Sequence, residues 1–282
     1  DYYFYDRAAK KLSWITTTRN EIEPKLMAAV KKVEIPTRDN NSIPGYLTIP
    51  KGFETKNLPT IILPHGGPEA QDTAEWDWWA QFYASRGYLV LKPNFRGSTG
   101  YGPEFQKAGE QQWGGLMQDD VTDATKWLIE TGQADPNRIC IVGASYGGYA
   151  ALMGVIKEPS LYKCAISVNG VTSISKIKGH DRRLIGGKDW IKDMGLKGAE
   201  DETVSPHDRV TDVNAPVLLM SSVDDTRIPY KHSEDMHKKL KRHKKNSQYV
   251  KIPNGTHYML TAESRLVTLR ETEKFLAKHI GK

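Results

Sequence analysis

The sequence predicts an α/β protein built on one mostly parallel sheet with helices on both faces. Short apolar runs alternate with helical patterns through most of the 282-residue chain, as in proteins built from strand–helix–strand units. Several runs are continuously apolar, such as residues 139–142 and 217–220, which is typical of strands covered on both faces. The length suits one such domain with a small appendage.

The appendage is predicted at the start of the chain, where the pattern does not belong to the alternation that follows. Residues 2–5 are aromatic, residues 6–11 are mostly polar and basic, and residues 12–15 are mostly apolar. Residues 1–18 therefore predict a strand, a turn and a strand.

Eight runs are predicted as strands of the main sheet, at 32–35, 45–49, 60–63, 88–92, 138–142, 163–168, 216–221 and 248–252. The first two lie close together with no helix between them, so they are expected to be antiparallel. Apolar residues at helical spacing predict helices at 74–86, 117–131, 146–157, 230–242 and 262–280. The stretch 169–213 is rich in Gly, Lys and Asp and is expected to form short helices and loops over the sheet.

Composition argues against several classes of protein. No apolar run approaches the ~18 residues of a membrane span, so a soluble protein without a membrane partner is expected. The net charge is +6, and its densest basic stretch, 238–245, has no stacking aromatics beside it, so a solvated helix face is predicted rather than nucleic-acid binding. No Cys/His cluster suggests zinc or another metal, and no cofactor is expected.

The two cysteines, Cys140 and Cys164, lie near the starts of strands that are expected to be neighbours. Both are predicted to be small buried residues, and a disulfide between adjacent parallel strands is the alternative. The chain begins at Asp1 without a signal-peptide pattern, so an excised or processed piece is expected. The compartment, periplasm or cytoplasm, is undecided.

The strongest sign of chemistry is the sequence GASYG at 143–147. It directly follows the predicted strand 138–142 and directly precedes a predicted helix, which is the placement of a nucleophile elbow. Glycines two residues before and after the serine let the helix pack against the sheet. Ser145 is therefore predicted to be a nucleophile.

A serine hydroxyl needs a histidine base that is oriented by a carboxylate. In α/β hydrolases these residues follow in the order Ser, Asp, His. Asp224 and Asp225 follow the predicted strand 216–221, and His257 follows the last strand, so they are the candidates for acid and base. The other histidines that follow Ser145 are expected at the surface: His180, His207, His232, His237, His243 and His279.

Two backbone donors are expected for the oxyanion of a tetrahedral intermediate. One is the N–H of Tyr146, directly after the nucleophile. The other is assigned to Gly67 in the loop HGGP, which follows strand 60–63, because glycine lets the backbone approach a substrate closely. The Gly-rich segment 94–102 lacks the order of a phosphate-binding loop and is predicted to form a rim of the site.

Five segments follow one another along the chain in this order: HGGP, NFRGSTGYG, DPNRICIVGASYGGYAAL, SSVDDTRIP and NGTH. Together they resemble the catalytic domain of the prolyl oligopeptidase family of serine peptidases, and most of all its acylaminoacyl-peptidase and dipeptidyl-peptidase branch. The resemblance covers roughly residues 30–282 and implies an α/β-hydrolase fold. Thr256 stands where the family usually has a glycine before the histidine.

The resemblance also implies roles for individual residues. The family pattern D-x-R-V-P matches residues 225–229, which implies Asp225 rather than Asp224 as the acid of a Ser145–Asp225–His257 triad. It further implies that Arg227 donates to a substrate carbonyl on the acyl side.

Family members carry a β-propeller before the hydrolase domain. The resemblance therefore implies that residues 1–30 are a propeller remnant and linker, that residues 31–282 are the catalytic domain, and that the propeller belongs to the same longer chain. A homo-oligomer is left open. The implied activity is cleavage of short peptides through an acyl-enzyme. A carboxylesterase is the alternative, because the same machinery cleaves esters, and a catalytically silent binding fold is a third hypothesis.

Overall fold

The computed structural model describes residues 1–17, 19–194 and 199–281. Its strands are β1 (Tyr2–Asp6), β2 (Lys11–Thr16), β3 (Ala29–Pro36), β4 (Ser42–Ile49), β5 (Leu58–Ile62), β6 (Leu89–Pro93), β7 (Ala134–Ala144), β8 (Cys164–Val168), β9 (Val217–Ser222) and β10 (Ser247–Ile252). Eight of them form one sheet in the order β10-β9-β8-β7-β5-β6-β4-β3. Only the pairs that β4 makes with β3 and β6 are antiparallel in this sheet, so the mostly parallel sheet is confirmed.

The helices are α1 (Trp78–Ala84), α2 (Pro103–Lys107), α3 (Leu116–Glu130), α4 (Tyr146–Lys157), α5 (Ile174–Asp181), α6 (Gly187–Met194), α7 (Ala199–Thr203), α8 (Lys231–Arg242) and α9 (Ala262–His279). Helix α1 begins later than predicted because the Asp77 carboxylate caps it, accepting from the N–H groups of Trp79 and Ala80 at 2.8 and 3.0 Å. Helix α2 was not predicted, since its five residues are too short to show a period.

The sheet separates two apolar layers, and alternate residues of each strand face opposite sides. In β7, Ile139 and Ile141 belong to the layer beneath α3, α4 and α8. Cys140 and Val142 belong to the layer beneath α1 and α9. The continuous apolar runs are thereby explained, because both faces of these strands are covered.

Cys140 and Cys164 are fully buried and directly paired in the ladder between β7 and β8, with their Cα atoms 4.8 Å apart. A disulfide joins them. The structure thus selects the bonded alternative that the sequence left open.

The predicted hairpin at the start of the chain is a separate two-stranded antiparallel sheet, β1–β2. Its apolar side chains are exposed; Tyr2 and Trp14, for example, are 57% and 59% exposed. Thr18 of the predicted hairpin segment, residues 195–198 of the predicted insertion and Lys282 lie outside the described residues. No helix in the described part of the chain has the length and hydropathy needed to cross a membrane.

Candidate active site

Ser145 occupies the sharp turn between β7 and α4. Its backbone has φ 58° and ψ −120°, a conformation that costs energy for a residue with a side chain. The turn leaves no space for side chains at its flanking glycines: a Cβ on Gly143 would lie 2.9 Å from the Gly147 Cα, and one on Gly147 would collide with the Pro64 carbonyl. Glycine is therefore required at both positions.

Asp225, which is buried, and His257, which is partly exposed, form a hydrogen-bonded pair. One oxygen of the Asp225 carboxylate accepts from the backbone N–H groups of Arg227 and Ile228, each at 2.8 Å, and the other accepts from His257 Nδ1 at 2.8 Å. Because Nδ1 donates, the lone pair of His257 Nε2 is available to take a proton. Asp224 is exposed, so the structure pairs the histidine with the second of the two adjacent carboxylates.

Asn169, which the sequence analysis did not single out, connects the segments that carry Asp225 and His257. It directly follows Val168, whose carbonyl accepts the Ser145 N–H at 3.0 Å. Its side-chain oxygen accepts from the N–H of Ser222 at 2.7 Å, and its amide nitrogen lies 3.2 Å from the carbonyl oxygen of His257. A buried side chain, 1% exposed, thus links Ser222, which precedes the loop of Asp225, to the loop of His257. The signal in the sequence that could have identified Asn169 is its position directly after the predicted strand 163–168.

The loop HGGP is held in place by its histidine. His65 stacks on Phe95 at 4.4 Å between ring centres, its Nδ1 donates to the Gly66 carbonyl at 2.7 Å, and its Nε2 lies 2.8 Å from the Ser98 hydroxyl. Desolvation lowers the pKa of His65, which favours the neutral ring. Because the peptide group is planar, fixing the Gly66 carbonyl also fixes the direction of the Gly67 N–H.

Gly66 lies directly against Ser145. A Cβ at this position would be 3.3 Å from the Cβ of Ser145 and 3.9 Å from its Oγ. The backbone of the HGGP loop therefore reaches the serine, as a loop that contributes to an oxyanion site must.

Arg227 lies at one end of an aromatic cluster. Its guanidinium is 5.4 Å from the ring centre of Trp190, and its Nη1 is 3.4 Å from a carboxylate oxygen of Asp181. Trp190 contacts Trp113, which packs against the Tyr146 ring with 4.6 Å between centres. Burial raises the pKa of Asp181. The cluster thus runs from the loop that carries Asp225 and Arg227 to Tyr146, which directly follows Ser145.

The segment 94–102, predicted as a rim of the site, is held in place by hydrogen bonds to a residue of α3. The buried carboxylate of Asp120 accepts from the backbone N–H of Arg96 at 2.8 Å and from its guanidinium at 2.6 and 2.8 Å. Phe95 of this loop packs on Tyr146.

Among the described residues, no group of three or more His, Cys, Asp and Glu side chains is arranged to hold a metal ion.

The expectation that His232 lies at the surface is wrong. It is 3% exposed, because α8 packs on the sheet through His232, Met236 and Leu240, which recur every four residues on one face. Its Nδ1 accepts from the N–H of Thr172 at 3.2 Å. Burial lowers the pKa of His232 to about 4, which makes the neutral ring the dominant form near pH 7.

The sequence of this chain is similar to a family profile and to several known proteins. Residues 74–282 match the sequence profile of the prolyl oligopeptidase family. The chain is 31% identical to dipeptidyl aminopeptidase BIII of Pseudoxanthomonas mexicana, with 99% of this chain and 43% of that protein aligned. It is 24% identical to the acylamino-acid-releasing enzyme of Mus musculus, over 96% of this chain and 39% of that protein. The chain spans less than half the length of these relatives.

Solved structures share the fold. An acylaminoacyl peptidase of Pyrococcus horikoshii superposes with a TM-score of 0.86 at 24% identity, covering 99% of this chain and 46% of that one. A puromycin-hydrolyzing peptidase of Mycobacterium tuberculosis superposes with a TM-score of 0.85 at 22% identity, covering 93% and 41%. Together with the order of the strands, these likenesses confirm the α/β-hydrolase fold predicted from the sequence.

Proposed function

The chain belongs to the prolyl oligopeptidase family, and on that basis we propose that it is a serine peptidase that cleaves short peptides through an acyl-enzyme. Ser145 is the nucleophile, His257 the general base and Asp225 the carboxylate that orients the base. The observation that supports this most is the partly buried Asp225–His257 hydrogen bond, in a fold that also presents a serine on a strained strand-to-helix turn.

Acylation begins when His257 Nε2 takes the proton of the Ser145 hydroxyl while Oγ attacks the scissile carbonyl carbon. The C–N bond then breaks, and the leaving amine takes the proton from Nε2. A water molecule repeats the sequence on the acyl-enzyme and releases the acid. The Asp225 carboxylate stabilises the imidazolium through its hydrogen bond to Nδ1, and its other oxygen is held by two backbone N–H groups.

The backbone N–H groups of Tyr146 and Gly67 donate hydrogen bonds to the oxyanion of the tetrahedral intermediate and so stabilise its negative charge. Tyr146 is the first residue of α4, where backbone N–H groups lack helical partners and the helix dipole favours an anion. The direction of the Gly67 N–H is set through the Gly66 carbonyl, which accepts from His65.

The acyl side of the peptide is assigned to the region of Arg227. Its guanidinium is partly exposed and lies between Asp181 and the Trp190 ring. Arg227 donates to a backbone carbonyl of the substrate, and the neighbouring rings contact the apolar part of the acyl residue. The names of the relatives support two candidates for the acyl group of the substrate, a dipeptidyl group and an acylated amino acid.

The hairpin β1–β2 is proposed as the remnant of a propeller blade, with residues 1–30 as remnant and linker and 31–282 as the catalytic domain. Its exposed aromatic side chains support a covering partner, and the propeller of a longer chain is the partner proposed. Strand β3 begins at Ala29, close to this boundary.

The proposal is tested by assaying the 282-residue chain on dipeptidyl and acetyl-aminoacyl p-nitroanilides and on p-nitrophenyl butyrate. Hydrolysis of at least one anilide class, abolished in Ser145→Ala, is the expected result. Hydrolysis of the ester alone would favour a carboxylesterase. Anilide hydrolysis that survives in Ser145→Ala would overturn the assignment of the nucleophile.

A further inference from the structure

Tyr258 is an exposed aromatic residue directly beside the proposed base. Its ring lies 5.4 Å from the imidazole ring of His257, centre to centre, and the two planes are nearly perpendicular, at 85°. The Tyr258 side chain is 75% exposed, and no step of acylation or deacylation requires it. A large apolar ring that is open to solvent beside a reacting group is placed to contact a substrate.

The next residue, Met259, fixes the backbone of this loop. Its φ is 49°, in the left-handed region that costs energy for a residue with a bulky side chain. Its side chain is 6% exposed and belongs to the apolar layer beneath α1 and α9. Its carbonyl oxygen accepts from Nε of Arg265, a residue of α9, at 2.9 Å. The buried side chain and this hydrogen bond anchor the loop to the body of the protein.

Leu260, on the other side of Met259, is 66% exposed. Its carbonyl oxygen lies 3.4 Å from Nη2 of Arg265. Both neighbours of Met259 are therefore large apolar residues that are open to solvent on a backbone held in place. Backbone strain persists only where the surroundings enforce it, and it is concentrated at functional sites. This arrangement indicates a binding surface.

The chemistry of the base determines which part of a peptide passes this surface. His257 Nε2 gives its proton to the leaving amine, so the nitrogen of the leaving residue comes within about 3 Å of Nε2. With the Tyr258 ring 5.4 Å from the imidazole centre, the side chain of that residue can reach it. The aromatic cluster assigned to the acyl side includes Trp113 and Tyr146, which belong to the apolar layer on the opposite face of the sheet from Met259.

We infer that Tyr258 contacts the first residue on the leaving side of the scissile bond and favours a large apolar side chain there, above all an aromatic one. The inference rests on the proposed function, because it requires His257 to be the base. An aromatic side chain pairs with the Tyr258 ring and removes apolar surface of both from water. An asparagine side chain gains no such contact and loses water from its amide group.

The test uses acyl transfer, because an added amine attacks the acyl-enzyme from the position that the leaving amine vacates. The acyl-enzyme is generated from p-nitrophenyl butyrate, and phenylalaninamide and asparaginamide compete for it at equal concentration in one reaction. The ratio of the two amide products is measured by chromatography. This ratio depends neither on the amount of active enzyme nor on the rate of attack by water. The intrinsic reactivity of each amine is the same with every variant.

Phenylalaninamide is expected to give the more abundant product with the wild-type chain. Tyr258→Ala is expected to lower its excess about three- to tenfold, since an aromatic pair contributes about this factor. Tyr258→Phe keeps the ring and should keep the ratio. Tyr5→Ala is the matched control, because it removes a tyrosine that is 54% exposed in the separate hairpin β1–β2, and it should also keep the ratio.

An unchanged ratio in a Tyr258→Ala variant that still transfers the acyl group would overturn the role of Tyr258 and leave the proposed function standing. An equal fall of the ratio in Tyr5→Ala would overturn it as well, because the effect would then not be specific to the loop of the base. Failure of the wild-type chain to form any acyl-enzyme would instead remove the proposed function, and the inference with it.

Discussion

The side-chain amide of Asn169 lies 3.2 Å from the backbone carbonyl oxygen of His257. The same side chain accepts a hydrogen bond from the N–H of Ser222, so one residue at the end of β8 holds both the loop of His257 and the strand end that leads to Asp225. Their relative position therefore depends on a residue that touches neither the imidazole ring nor the carboxylate of Asp225.

We predict that Asn169→Asp lowers kcat about ten- to hundredfold, because a carboxylate cannot donate to the His257 carbonyl and the loss of a buried donor costs about 1–3 kcal/mol. Steady-state kinetics on a p-nitrophenyl ester, with thermal unfolding beside it, measures the effect. Asn214→Ala is the control, since Asn214 is exposed and should change neither quantity. Unchanged kcat in Asn169→Asp would show that the contact does not position the base.

His65 is predicted to act through the Gly66–Gly67 peptide. His65→Phe keeps a ring to stack on Phe95 but loses the donor to the Gly66 carbonyl, so kcat should fall about ten- to hundredfold, below the range for losing an oxyanion donor outright. His65→Asn restores a donor near the position of Nδ1 and should recover part of the loss. Equal activity of wild type and His65→Phe would contradict the role.

Arg227 is predicted to recognise the acyl side of a peptide. Arg227→Ala should raise KM for a peptide anilide more than for p-nitrophenyl butyrate, which has no second carbonyl to accept the hydrogen bond. Asp181→Asn, which weakens the contact that holds the guanidinium, should produce a smaller change in the same direction. Equal effects on both substrates would eliminate the substrate-binding role.

Burial of neutral His232 predicts a loss of stability in acid. Its pKa falls from 6.5 to about 4 on folding, so between these values the unfolded chain binds a proton that the folded chain does not. Stability should fall as pH drops from 6.5 towards 4, by about 3 kcal/mol at most for this one group. Urea unfolding at several pH values measures the slope.

The matched variants separate His232 from the other titrating groups. His232→Asn keeps an acceptor for the Thr172 N–H but does not titrate, so the loss between pH 6.5 and 4 should become smaller. His243→Asn replaces an exposed histidine just beyond the same helix and should leave the slope unchanged. An identical slope in wild type and His232→Asn would disprove the assignment.

The sheet could be predicted from the sequence because both faces of its strands are covered. In β7, every residue from Ile139 to Val142 is buried, so the apolar run is continuous and unambiguous. Ser145 could be predicted for a local reason: the glycines around it are required by contacts within the turn itself and with the Pro64 carbonyl.

Residues whose roles depend on distant contacts could not be predicted in the same way. Asn169 acts on Ser222 and His257, and Asp181 acts on Arg227; nothing in the neighbouring sequence marks either pairing. The choice of Asp225 over Asp224 came from the family resemblance. In the structure the two carboxylates differ, since Asp225 is buried and bonded to His257 while Asp224 is exposed.

The most direct test of the proposed mechanism is the rate at which a fluorophosphonate labels Ser145, with the labelled peptide identified by mass spectrometry. The wild-type chain and Asp224→Asn should react at similar rates with the adduct on Ser145. Asp225→Asn should react far more slowly, by up to ~10⁴-fold, because the base then loses the carboxylate that orients it. An adduct on another residue, or equal labelling of Asp225→Asn and the wild type, would contradict a Ser145–Asp225–His257 triad.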